Sequence, residues 1–327
     1  MKALVTGGSG FVGSHLAQAL VREGWEVTCV VRRSSSLRWL RGLPVEYLPM
    51  DLVRPSGLRQ ALMDVDVVFH VAGVTKGTRR EDFFRGNALT TRSLVQACME
   101  SGNERLRFIH VSSLSAAGPA PDGRPRREED PPAPVSWYGR SKLLAEEAVL
   151  RAFPPEALRI LRPPVVYGPR DLDFLQVFRC VALGFCPVAG RGEQKIQFIH
   201  VNDLIRGILL AAKCQEPVGP VFFLSGEGAF DWLTVANAVG RAVGRTPVPL
   251  PVPIPVLRGV GALGTLLGRA TGKAVVLNSD KVKEGAQPNW LCSSDKARKE
   301  LGFQAVVPFE EGLASTASWY RRAGWLS

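Results

Sequence analysis

The sequence predicts an α/β protein: a doubly wound parallel sheet with a smaller C-terminal α+β part. Three observations carry this expectation. Short apolar runs alternate with helical periodicity from residue 2 onward, with short connections. The first apolar run stops at three spaced glycines, Gly7, Gly10 and Gly13, and an apolar-periodic stretch follows. After Gly168-Pro169 the alternation gives way to loop, proline and mixed signals.

Strand 1 is Lys2–Thr6, and the helix behind it covers about Phe11–Glu23. Strands follow at Glu26–Val31 and Val45–Pro49, the second running into Asp51-Leu52. The fourth strand is Val65–Val71, the next helix about Asp82–Ser101, and the fifth strand Arg107–Val111. A helix over about Ser136–Arg151 leads to a sixth strand, Leu158–Val166. Right-handed crossovers place helices on both faces of such a sheet. Phe198–Leu204 returns to the sheet layer and enters a helix to about Lys213; a strand at Val221–Ser225 follows. The predicted organisation is residues 1–168 with about 198–225 as the dinucleotide-binding domain, and 169–197 with 226–327 as the substrate-binding part.

Pro247 to Pro255 carries proline at every second position, which forbids a central strand and leaves an extended edge or polyproline-like segment. Val256–Ala270 is apolar, dotted with glycine, and charged only at Arg258 and Arg269. A helix packed on the core is the first expectation for it. An apolar lid over substrate and a membrane-surface contact are the other two.

The chain has 327 residues, 46% apolar and 22% charged, an ordinary globular composition with room for one or two domains. Net charge is +11, a balance that attracts nucleic acid, membrane surfaces or anionic ligands. The basic residues are scattered, and Arg124-Pro125-Arg126-Arg127 runs straight into Glu128-Glu129-Asp130, so a solvated surface is expected. No nucleic-acid motif appears, and no nucleic-acid partner is expected. The six cysteines show no C-x-x-C pairing and fit buried thiols in a reducing cytosol. The first strand opens at residue 2, so no signal peptide is expected. No apolar stretch reaches the ~18–20 uncharged residues of a spanning helix.

The glycine spacing has a physical meaning. Gly7 makes the tight turn, Gly10 lets a pyrophosphate approach the backbone, and Gly13 lets helix pack on strand. The helix N-terminus then offers free N–H groups and a positive dipole end to phosphates. Downstream, Tyr138-Gly139-Arg140-Ser141-Lys142 places a phenol and an ammonium at i and i+4, on one helix face. A nearby cation stabilises phenolate, so Tyr138 suits proton exchange with a carbonyl or alcohol oxygen. Ser112-Ser113 ends the fifth strand at the carboxyl edge of the sheet, where open α/β sheets bind ligands. The histidines His15, His70, His110 and His200 lack metal-ligand spacing, so no metal is expected.

Together these residues resemble an extended short-chain dehydrogenase/reductase, the superfamily of nucleotide-sugar epimerases, dihydroflavonol reductases and 3β-hydroxysteroid dehydrogenases. The resemblance spans nearly the whole chain. It includes Thr6–Gly13, His70-Val71-Ala72-Gly73, Ser112-Ser113, Tyr138 with Lys142, Arg162 to Pro169, Phe198–Leu204 and Lys296 to Phe303. It implies a Rossmann sheet. It also implies that Ser113 polarises a carbonyl, Tyr138 donates or takes the proton, and Lys142 binds the nicotinamide ribose and tunes Tyr138. Thr6, Gly7, Ser9, Gly10, Phe11, Val12 and Gly13 would line the cofactor's pyrophosphate. Asp51 and Leu52 would flank the adenine. Val71, Ala72 and Gly73 would line the ribose path, with Asn87 close by, and Pro163, Val165 and Val166 would sit near the nicotinamide amide. A homodimer through the helices at about 82–101 and 136–151 is implied by the same resemblance.

In NAD-preferring members an acidic residue ends the second strand. Here that place reads Val30-Val31-Arg32-Arg33-Ser34-Ser35, with no carboxylate and two guanidiniums suited to bidentate phosphate contact. NADP(H) is therefore expected, with NAD as the alternative. The sugar-nucleotide enzymes usually carry asparagine where this chain has Val165, and the 4,6-dehydratases carry Asp-Glu where Leu114-Ser115 stand. Ala116-Ala117-Gly118 replaces a frequent Val-Tyr-Gly. These departures favour an apolar ketone or aldehyde as the small-molecule substrate of an NADPH-dependent carbonyl reductase. A nucleotide-sugar epimerase and a non-catalytic dinucleotide-binding protein are the alternatives.

Overall fold

The first six strands are Lys2–Thr6 (β1), Glu26–Val31 (β2), Val45–Pro49 (β3), Val67–His70 (β4), Arg107–Val111 (β5) and Leu158–Arg162 (β6). Helices Phe11–Arg22 (α1), Leu58–Ala61 (α2), Arg80–Phe83 (α3), Thr90–Glu100 (α4), Leu114–Ala117 (α5) and Trp137–Ala152 (α6) connect them. Beyond these come Val165–Tyr167 (β7), Phe185–Ala189 (β8), Lys195–Ile196 (β9) and Phe198–His200 (β10), with Leu175–Ala182 (α7) and Val201–Lys213 (α8). Val221–Phe223 (β11) completes a seven-stranded sheet in the order β11-β6-β5-β4-β1-β2-β3. Every pairing in it is parallel. Trp232–Val243 (α9), Val248–Val252 (β12), Ile254–Thr271 (α10), Ser279–Gly285 (α11), Asn289–Trp290 (β13), Asp295–Leu301 (α12) and Phe309–Arg322 (α13) follow. This computed structural model describes residues 1–216, 218–271 and 278–326.

Strand alternation sorts the core into two layers. Ala3 and Val5 of β1, Val67 and Phe69 of β4 and Ile109 of β5 face Leu16 and Leu20 of α1 and Leu204 and Ile208 of α8. Leu4, Val68 and Phe108 point the other way, against Leu94 of α4 and Val149 of α6. Both faces are covered, which is why these strands read as continuous apolar runs. A third core joins Phe174 and Phe178 to Val235, Val239, Leu313 and Tyr320, so those two phenylalanines are packing residues.

The expected strand Leu158–Val166 is two strands. Pro163 and Pro164 have no N–H to give a ladder. The chain leaves the main sheet there, and the Pro163 carbonyl accepts from Leu114 N–H at 2.8 Å. β7 then pairs with β10 in a separate two-stranded sheet, so Phe198–His200 does not rejoin the main sheet. The expected helix over 82–101 begins at Arg80 and contains a π-helical stretch, Phe84–Leu89. β12, with its alternate prolines, pairs with β8 alone and has the edge position its composition requires. Residues 256–270 lie in α10, but the buried positions are Gly261, Gly264 and Gly268, and the large aliphatic side chains point outward. The helix expected there is present, and it packs through its glycines rather than through its large aliphatic side chains.

A buried ion pair bolts α6 to the sheet. The Arg162 guanidinium, at the end of β6, donates from Nη2 to Glu146 Oε2 at 2.6 Å and from Nε to Glu146 Oε1 at 3.0 Å. Glu146 is fully buried and also accepts the Ser112 hydroxyl from the end of β5. Removing one partner of a buried pair leaves an uncompensated charge. We expect Glu146→Gln to lower the unfolding free energy by about 3–5 kcal/mol, read by urea denaturation. An unchanged midpoint would show that the pair contributes nothing to stability.

Candidate active site

The turn after β1 is the tightest backbone approach in the site. Gly7 has φ +73°, and a Cβ there would stand 2.7 Å from Ala72 N. A Cβ on Gly13 would stand 2.1 Å from the Gly7 carbonyl oxygen, so only glycine lets α1 start so close to the strand. Gly10 N–H closes the turn on Gly7 O at 2.9 Å, and Gly10 itself is exposed. No side chain caps α1 and no acidic residue lies in its first turn. Its leading N–H groups are thus free of side-chain acceptors, a cradle that fits a pyrophosphate. Ser9, Phe11 and Val12 are half-buried along it.

Thr6 is buried and its hydroxyl serves the protein. It lies 2.7 Å from His70 Nδ1 and accepts from Ala72 N–H at 3.2 Å. His70 Nε2 meets Thr91 Oγ1 at 2.8 Å. Burial, and secondarily Lys142, push the His70 pKa down to about 3, so a neutral ring links β1, β4 and α4. Thr6 therefore fixes the turn against Val71 and Ala72. Gly73 is exposed beside it, and a Cβ there would come within 3.2 Å of Asn87 Oδ1 and 3.7 Å of Lys142 Nζ.

Asn87, inside the π-helical stretch, is a staple. Its Oδ1 accepts from Val74 N–H at 2.7 Å, and its Nδ2 donates to Val74 O at 3.1 Å and to Ser141 Oγ at 2.8 Å. These bonds hold the loop after β4 against α6. At the far edge, Arg32 and Arg33 follow β2 and are exposed. Arg32 N–H donates to Ser35 Oγ at 3.2 Å. Neither guanidinium has an ion-pair partner among the described residues. Asp51 accepts from Val53 N–H at 3.0 Å and Leu52 is buried beneath it. Pro163 is buried, Val166 half-buried, and Val165 39% exposed.

Strand geometry divides the two serines. Ser112 turns inward to Glu146. Ser113 turns outward, caps α5 by accepting from Ser115 N–H at 3.1 Å, and stands near the Tyr138 phenol. Lys142, one turn along α6 from Tyr138, is buried and donates to Val111 O at 2.7 Å. Burial draws the Lys142 pKa down to about 8, against the opposing pull of Glu146. Burial raises the Tyr138 pKa, the nearby Ser113 hydroxyl lowers it, Glu284 raises it and Lys281 lowers it. In this state Tyr138 is a protonated phenol at neutral pH.

Sequence reasoning missed α11. Asp280 accepts from the N–H groups of Trp137 at 2.8 Å and Tyr138 at 3.2 Å, so it caps the start of α6 from another element. Glu284 accepts from Ser136 Oγ at 2.7 Å and pairs with Lys281 at 3.1 Å. The Asn278-Ser279-Asp280 start is a readable helix signal, but nothing local places it more than a hundred residues back in the chain. Glu146 had a signal, the i+4 spacing from Lys142, and was also missed.

The family described as NAD dependent epimerase/dehydratase matches residues 3–222. The chain is 33% identical to a ceramide reductase of Caulobacter vibrioides (strain NA1000 / CB15N), over 98% of this chain and 95% of that protein. It is 28% identical to a 4-hydroxy-2-methyl-3-oxo-4-farnesyl-3,4-dihydroquinoline-1-oxide ketoreductase of Stigmatella aurantiaca, over 96% and 95%. Among solved structures it resembles gox2253, with TM-score 0.82 and 28% identity over 99% of both chains. It also resembles MoeE5 in complex with UDP-glucose and NAD, with TM-score 0.78 and 27% identity over 99% of both chains. The glycine turn, the parallel sheet and the Ser113–Tyr138–Lys142 cluster agree with these likenesses, and the chain belongs to the NAD dependent epimerase/dehydratase family.

Proposed function

We propose that this protein is an NADPH-dependent carbonyl reductase acting on an apolar ketone or aldehyde. The observation that carries the reading is the cluster at the sheet edge: Ser113 at the end of β5 stands near the Tyr138 phenol, and Lys142, one turn along α6, donates to Val111 O. Two neighbouring hydroxyls can together hold and protonate a carbonyl oxygen. The reductase names of the relatives support reduction, and their ceramide and farnesyl substrates support an apolar one. The aliphatic Val165 and the Ala116-Ala117-Gly118 wall agree with that.

The α1 turn would hold the pyrophosphate, Gly73 and Lys142 the nicotinamide ribose, and Arg32 with Arg33 the 2′-phosphate. A bound dihydronicotinamide supplies the hydride that reaches the carbonyl carbon. Ser113 orients the oxygen and Tyr138 gives it a proton, leaving an alcohol. Lys142, held by Val111 O, would bind the nicotinamide ribose and serve as the reservoir from which Tyr138 regains its proton. Six free cysteines fit a reducing cytosol. Exposed Leu89, Met99 and Leu150, on or beside α4 and α6, support a homodimer through those helices.

The likeness to MoeE5 with a sugar nucleotide and NAD favours a second reading, an epimerase. An epimerase retains its cofactor through purification, giving nicotinamide-band absorbance in the isolated protein. The reductase emerges empty and binds added NADPH.

Tyr138→Phe should lower kcat for ketone reduction by about 10²–10⁴-fold with NADPH binding unchanged; wild-type turnover would remove Tyr138 from proton transfer. Wild-type reduction should fall as pH rises through about 8, because Lys142 loses its proton there. A profile flat across that range would separate Lys142 from proton supply. Arg32→Ala with Arg33→Ala should abolish a preference for NADPH over NADH, followed by fluorescence quenching. Equal affinities in the wild type would overturn the NADP(H) assignment.

A further inference from the structure

Helix α10 has its polarity reversed. A helix on a water-facing surface buries its large apolar side chains and exposes small or polar ones. Here the buried positions are Gly261, Gly264 and Gly268. Val256, Val260, Leu263, Leu266 and Leu267 are between 47% and 64% exposed. Their spacing of four, three and four residues from Val256 to Val260, Leu263 and Leu267 makes one continuous stripe, with Leu266 beside it. Glycine inside a helix is unfavourable unless close packing requires it. Here it does: a Cβ on Gly261 would stand 2.7 Å from Val282 Cγ2. α10 thus lies backbone-down on α11, and Thr265 Oγ1 accepts from Ser279 N–H at 3.0 Å to fix it.

The charges on this helix itself are of one sign. Its ionisable residues are Arg258 and Arg269, eleven residues apart and so on one flank, and both are exposed. That flank borders a cleft of about 560 Å³ between α10–α11 and the starts of α3 and α6. Arg79, Arg80, Arg269 and Lys283 line the cleft, and none has an ion-pair partner among the described residues. Its two carboxylates are Glu81 and Asp280, and Asp280 is engaged by the α6 backbone. Half-buried Trp137 stands at the same rim, with Arg80 4.9 Å and Lys283 5.6 Å from its ring. An apolar stripe, a basic flank and an interfacial tryptophan are the features of a helix lying in a lipid headgroup layer. Among the described residues no helix is long and apolar enough to cross a membrane, so the contact would be peripheral.

We propose that α10 and the basic rim of this cleft form a docking surface for an anionic lipid bilayer. The aliphatic stripe enters the headgroup–acyl boundary, and Arg79, Arg80, Arg269 and Lys283 meet lipid phosphates. α11 connects this surface to the start of α6, the helix that carries Tyr138. The inference goes beyond the reductase reading and does not depend on it.

The test is flotation of the full-length protein with vesicles of phosphatidylcholine and phosphatidylglycerol, against vesicles of phosphatidylcholine alone. The wild type should float with the anionic vesicles, and high salt should weaken this. Leu263→Asp with Leu267→Asp should abolish flotation. Both sites are exposed, and an unchanged circular-dichroism melting curve would show that the fold is intact. Arg269→Glu with Lys283→Glu should weaken binding by roughly tenfold or more. No flotation of the wild type, or equal flotation of the aspartate variant, would overturn the proposal. So would a wild-type dimer that the aspartate pair splits while vesicles are ignored, since a second copy of the chain would then cover the stripe. Flotation does not read turnover, so loss of the reductase reading would leave this result standing.

Discussion

The bidentate contact between Arg162 and Glu146 is the constraint on which the site depends. Arg162 ends β6, Glu146 lies midway along α6, and Ser112 at the end of β5 completes the contact. Three separate elements are thereby fixed at the carboxyl edge of the sheet. α6 carries Tyr138 and Lys142, so its rotation and height decide where the phenol meets Ser113. A fully buried pair costs desolvation on both sides and is weak as a source of net stability. Its value is geometric: a bidentate guanidinium accepts only a narrow range of carboxylate positions. An apolar contact in the same place would allow α6 to slide or roll.

The other end of α6 is held by different means. Asp280 takes the first N–H groups of the helix and Glu284 takes the hydroxyl of Ser136, the residue that caps it. Helix α6 is thus bound to the sheet through its middle and to α11 through its start. α11 belongs to the part of the chain where the sequence offered fewest motifs. α11 is thus in direct contact with the backbone of Tyr138, and the position of that residue depends on α11 as well as on the sheet.

Much of the fold was legible because its signals are local. β1, β2, β3 and β5 occur with the bounds that periodicity implied, and Gly7 and Gly13 stand where a Cβ would collide with backbone. The cluster of Ser113, Tyr138 and Lys142 was legible because helical spacing and a strand end sufficed to bring it together. The break at Pro163-Pro164 was visible in the residues, yet apolar continuity through Val166 outweighed it in the reading. Asp280, Lys281 and Glu284 were not legible, since their role depends on a contact across more than a hundred residues. The role of Lys142 was only half legible: spacing placed the ammonium on the face of Tyr138, but the Val111 carbonyl that captures it comes from β5.

That capture has a consequence for the chemistry. An ammonium bound to a backbone carbonyl and drawn down to about 8 sits close to the pKa at which giving and regaining a proton are both easy at neutral pH. A lysine that merely stabilised phenolate would be expected to keep an ordinary, high pKa and to lower that of the tyrosine. Here Tyr138 keeps its proton, held up by burial. On the proposed reading the acid is Tyr138 and the replenishing proton lies on Lys142, the protonation states that reduction of a carbonyl would consume. The reverse direction, alcohol oxidation, needs a phenolate, and in this geometry burial opposes it.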